Sequence, residues 1–115
     1  MAKFEVVELA NPIELFGKKV STVKIKEPTG YQYSTIGEPR IMVHTGTGGG
    51  YFVEQPAEIN RYLEGCIDHE QGADFLRLLS LVDAMTVKRA LLGFFEGAEA
   101  TILERKLTRS SSAPA

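Results

Sequence analysis

Few residues in this 115-residue chain are of types that could support chemistry: His44, His69, Cys66, some serines and the glycine-rich run Gly46-Thr47-Gly48-Gly49-Gly50. The run invites comparison with a phosphate loop. There, backbone amides cradle the phosphates while a Lys and a Ser/Thr at the start of the next helix reach phosphate and metal. Here Tyr51-Phe52-Val53 follows, a strand-like segment without lysine. A dinucleotide fingerprint equally needs a helix directly after its glycines. The run is therefore expected to be the tip of a hairpin. A small-molecule-binding or hydrolytic enzyme using Gly46–Gly50 and His44 is the alternative.

The two histidines sit in separate segments, with no metal-ligand spacing to a carboxylate or to Cys66. Asp68 and Glu70 flank His69 in sequence, but adjacent residues on a helix point apart. Ser34 and Ser80 lack the glycine-flanked elbow that exposes a nucleophilic hydroxyl. Cys66 is the only cysteine, so it can form neither an internal disulfide nor a multi-cysteine zinc site. It falls at an apolar helical position and is expected to be buried. The expectation is no catalytic residue, no metal, no cofactor and a non-enzymatic protein.

The elements that must carry these residues change character midway. Phe4–Leu9 is rich in β-formers, and Pro12–Phe16 leads through Gly17 into Val20–Lys26. Val23 and Ile25 share one face there, Thr22, Lys24 and Lys26 the other, which is the period of a half-buried antiparallel hairpin. Pro28 ends it, and Thr29 with Gln32 has the spacing of a capping box for a short helix over 30–36. Ile41–His44 and Tyr51–Glu54 flank the glycine run as a second hairpin. From Pro56 the period becomes helical. Ile59, Tyr62, Leu63, Cys66 and Ile67 form one stripe, and Phe75, Leu78, Leu79 and Val82 a second. Val87, Ala90, Leu91 and Phe94 form a third, with Asp83 or Thr86 as its cap. Gly93 and Gly97 weaken its end, and a further short helix could hold Ile102, Leu103 and Leu107. The expected fold class is α+β: N-terminal antiparallel β-hairpins followed by a C-terminal bundle of about three short helices. Residues 1–109 form a single domain and 110–115, Ser-Ser-Ser-Ala-Pro-Ala, a disordered tail.

A net charge of −2 gives no field favouring a polyanion, so no nucleic-acid partner is expected. Arg105, Lys106 and Arg109 read as a solvated basic patch. No apolar stretch approaches membrane-spanning length and the N-terminus lacks a leader pattern, so the expected location is the cytoplasm.

Leu91-Leu92 and Phe94-Phe95 wrap most of a helical turn with apolar side chains, more than one buried stripe needs. A partner-binding or self-association surface is expected at Leu91, Phe94, Phe95 and Leu103.

The stretch Pro12-Ile13-Glu14-Leu15, Gly17-Lys18-Lys19-Val20 and Val23-Lys24-Ile25-Lys26-Glu27-Pro28-Thr29 resembles the opening of the tail assembly chaperones of contractile-tailed phages. Leu78–Leu81, Asp83-Ala84-Met85 and Ala90–Phe95 resemble that family's helical end. The family passes from the Pro-Thr turn into helices. For residues 37–55 a helix-flanking loop therefore stands beside the hairpin reading. The resemblance implies a chaperone in the host cytoplasm that binds the tape-measure protein and assists assembly of the tail-tube protein around it; the surplus apolar surface adds the expectation of a homo-oligomer. Such a chaperone is not retained in the virion. A structural protein that stays in the tail is a further alternative.

Overall fold

The computed structural model describes residues 3–69 and 72–112. Strands β1 (Phe4–Leu15) and β2 (Lys18–Lys26) form an antiparallel hairpin closed by Phe16-Gly17. Both turn residues have positive φ, 52° and 77°, as a two-residue loop matched to strand twist requires. Val7, Leu9, Ile13, Leu15, Val23 and Ile25 point into the core, while Phe4 and Val6 remain exposed on the other face. The Lys24 ammonium lies 4.9 Å from the centre of the Phe4 ring.

Register shifts between Glu8↔Thr22 and Ile13↔Val20, so four residues of β1 oppose only Ser21. This bulge lets one long strand keep apolar residues inward on both sides of an irregularity. The outer edge of β2 is covered in turn: Ile67 bridges to Ile25, and the Asp68 amide donates to the Lys24 carbonyl at 2.8 Å.

Helix α1 (Gly30–Ile36) carries the full capping box between Thr29 and Gln32. Helix α2 (Pro56–Cys66) starts on Pro56 and buries Ile59, Tyr62, Leu63 and Cys66. Helix α3 (Gly72–Leu78) adds Phe75, and α4 (Leu81–Ser112) adds Val87 and Leu91. A Cβ at Gly72 would stand 2.6 Å from the Glu64 carbonyl oxygen, so α3 begins pressed onto the end of α2 as only glycine permits.

The α+β reading and both hairpins hold, with the 37–55 segment a hairpin. Two details differ. The last helix is one continuous element of 32 residues, roughly 48 Å long. It passes Gly93 and Gly97 without a break and reaches three residues into the segment expected to be disordered; residues 113–115 lie outside the described residues. It starts at Leu81, with Ser80 as cap: the Ser80 hydroxyl accepts from the Asp83 amide at 3.3 Å. Thr86 instead donates back to the Val82 carbonyl. The projecting helix raises the radius of gyration to 17.3 Å, against about 13 Å for a compact chain of this length.

Strands β3 (Arg40–His44) and β4 (Gly50–Glu54) form a separate two-stranded sheet. Arg40 stacks 4.1 Å from the centre of Phe52 and reaches Glu96 at 3.5 Å, while Lys88 pairs with Glu54 at 2.8 Å. These contacts turn the Arg40–Phe52–Glu54 face toward α4. The opposite face, the cross-strand pairs Ile41↔Val53 and Val43↔Tyr51, is entirely apolar and turned away from it.

Candidate functional site

The most perturbed carboxylate in the fold has a structural task. Asp83 is 1% exposed and accepts from the amides of Ala10 at 2.7 Å and Asn11 at 3.0 Å, both in the β1 bulge. The Ser80 hydroxyl donates to it at 3.0 Å and itself accepts from the Asn11 side chain at 3.0 Å. Hydrogen bonds from Ala10, then from Asn11 and Ser80, hold the carboxyl below its ordinary range against the opposing effect of burial. Its acceptor capacity goes to the bulge and the helix start. The cluster is a staple rather than a base.

The features first singled out for chemistry stay apart. His44 ends β3 on the surface, and the His69 ring lies 5.4 Å from Phe75. In the glycine run, the Thr45 amide donates to the Gly49 carbonyl and the Gly48 amide to the Thr45 carbonyl. Those amides close a turn and do not converge on a ligand. Cys66 is buried, and desolvation pushes its thiol pKa up, away from thiolate reactivity. Among the described residues no three His, Cys, Asp or Glu side chains group as metal ligands.

A concave site with a largely apolar lining lies elsewhere, between α1 and the middle of α4. It is a groove of about 480 Å³. One wall is Pro28, Gly30 and Tyr33, and the other is Phe94, Phe95, Ala98 and Ile102. The aromatic lining of the groove, Tyr33 and Phe95 with ring centres 6.4 Å apart, continues into the core through the buried Tyr62, edge-on to Phe95 at 5.0 Å. The Tyr62 hydroxyl donates to the Gly37 carbonyl at 2.6 Å, fixing the C-terminal end of α1 against α2. Burial, then nearby Glu38, push the Tyr62 phenol up to about 12. The Tyr33 hydroxyl donates to the Glu38 carboxylate, and that bond is the main reason its pKa rises. Glu27, Glu38 and Glu99 are the charged residues of the lining.

Of the four residues expected to bind a partner, two line this groove, the half-buried Phe94 and Phe95. Leu91 does not. At 0% exposure it is core, packed with Val87 and Tyr62 beneath the sheet. Leu103 is exposed but points elsewhere. At about 100° per residue it is turned roughly 80° from Phe95 and 100° from Ile102. Ile102, 55% exposed, takes its place over the groove. The spacing Phe95, Ala98, Ile102 (i, i+3, i+7) could have found it. Tyr33 had no such signal, since α1 buries no residue and its sequence is a poor helix former.

The groove presents apolar and aromatic side chains with carboxylates at its rim. Among the described residues no helix is long and apolar enough to cross a membrane. Compared with protein families, curated proteins and solved structures, the chain finds no match in any of the three.

Proposed function

We propose that this protein is a non-enzymatic binding module whose α1–α4 groove holds an apolar helical segment of another protein. On the residues that resemble the tail assembly chaperones, that segment belongs to a tape-measure protein, and the site of action is the host cytoplasm before the tail is complete. The uncovered aromatic groove carries this reading. Tyr33, Phe94, Phe95, Ala98 and Ile102 form an apolar trough at the root of a helix whose side chains from Glu96 to Thr108 are all exposed. A helix laid into such a trough buries anchors three or four residues apart reversibly, as a chaperone requires. Each large side chain fully removed from water contributes roughly 1.5–3 kcal/mol.

Co-expression with a tape-measure protein of a contractile-tailed phage tests the reading. The wild-type chain should co-purify with that protein. Ala98→Glu and Ile102→Glu sit on the exposed helix and should leave the melting temperature unchanged while weakening capture by at least about tenfold. Undiminished capture by both variants would place the binding surface outside the groove. A shift in melting temperature with nucleotide or metal would favour the enzyme alternative instead. Presence of the chain in purified particles would favour a structural tail protein.

A further inference from the structure

The groove has a property that an apolar client does not require: its charged rim, Glu27, Glu38 and Glu99, is wholly acidic. An aromatic floor beneath carboxylates suits a cation on an aliphatic stem, which can lie along a ring and pair with the rim. The chain carries such cations on α4 itself. Arg105 and Lys106 are exposed just beyond the groove, on a stretch where every side chain described from Glu96 to Thr108 is exposed. A continuous helix cannot fold them back into its own groove.

We propose that a second copy supplies them. The α4 helices of two copies pair antiparallel about a two-fold axis at Ile102, and each groove receives Arg105 and Lys106 of the other copy. The register follows from the sequence. Glu99 and Arg105 stand three residues either side of Ile102, and Ala98 and Lys106 stand four. At about 100° per residue, Glu99 and Lys106 lie on the same flank, near 60° and 40° from Ile102. A two-fold antiparallel pair sets like flanks together, so each Glu99 meets a Lys106 of the other copy. Arg105, on the opposite flank, comes over Ala98 and Phe94, and the small Ala98 allows the close approach. One patch serves both copies, as a closed dimer requires. Pairing also covers a projecting helix that in isolation would be only marginally stable in water. A client and the second copy compete for this groove, so the dimer is the state without client; it goes beyond client binding and stands or falls without a client.

Sedimentation velocity of the isolated full chain, from low micromolar to near-millimolar protein, is the test. The wild type should pass from monomer to dimer, with the dimer weakened by salt. Glu99→Lys and Lys106→Glu should each weaken dimerisation at least about tenfold, and the double variant should restore it. Circular dichroism should show all three folded, since both residues are exposed; Ile102→Glu is a second variant expected to stay folded and monomeric. A wild type that remains monomeric at the highest concentration overturns the proposal. So does a dimer that neither charge reversal affects. Weakening in both single variants without rescue in the double overturns the register.

Discussion

The two hairpins are written in similar residues and meet opposite fates. Each has two antiparallel strands with a glycine in or beside its turn and apolar residues on at least one face. The first is buried on one side, stapled at its bulge by Asp83 and covered along part of its outer edge by Ile67 and Asp68. The second has all ten strand residues exposed or half-buried, and neither of its outer edges is paired among the described residues. Two strands alone are marginal in water. The first gains a fold by lying on α2 and α4, while the second hangs from α4 by the ion pairs Arg40–Glu96 and Lys88–Glu54. With the carboxylate of each pair well exposed, such pairs contribute only about 0–1 kcal/mol each. The difference lies in what covers each hairpin rather than in strand propensity.

Matched deletions sharpen that contrast most strongly. Ile25 is fully buried and Ile41 is 43% exposed. Ile25→Ala should cost about 2–5 kcal/mol in chemical denaturation, whereas Ile41→Ala should cost about 0.5 kcal/mol or less. Comparable losses from both would mean that the second hairpin is buried in an assembly.

The staple gives a second, pH-dependent contrast. Because the folded state holds the Asp83 carboxyl below its ordinary pKa, its contribution is fully present above the unfolded value of about 3.9. It is lost as pH falls through the lower folded value. Asp83→Asn should lower the melting temperature at neutral pH, and its gap from wild type should narrow below about pH 4. Hydrogen exchange should then speed up around Ala10 and Asn11 while amides of the second hairpin keep their rates. A gap that is independent of pH would remove the ionised staple from the account.

The smallest effect is expected at the loop of the second hairpin. Thr45 and Gly49 close it by backbone bonds, and no residue of the run packs into the core. Replacing Thr47-Gly48-Gly49 by a two-residue turn should leave the melting temperature nearly unchanged, since glycines lose the most entropy on ordering. A large loss would show that the loop is held by something beyond its own turn.

Local rules were legible wherever the cause is local. The alternation of Val23 and Ile25, the Thr29–Gln32 box, Pro56 at a helix start and the stripe from Ile59 to Cys66 each involve residues a few positions apart. They were readable for that reason. The positive φ at Gly17 was likewise foreseeable, though not that Phe16 would share it. Propensity misled at Gly93 and Gly97. Each costs a helix about 1 kcal/mol relative to alanine, yet the helix passes through both, with Leu91 and Leu92 buried just before them.

The amino-acid order by itself determined where strands give way to helices, which faces are apolar, and that no compact motif for phosphate, metal or nucleophile is present. Tertiary structure alone decided which apolar surplus is core and which is surface. Leu91 and Phe95 are four residues apart on one helix, yet the first is fully buried and the second is half-buried at the groove. It also decided that Asp83 reaches more than seventy residues back to the amides of Ala10 and Asn11, and that Tyr33 meets Phe95 across a groove. Such pairs leave no periodic trace, because their partners are set by how whole elements pack against one another.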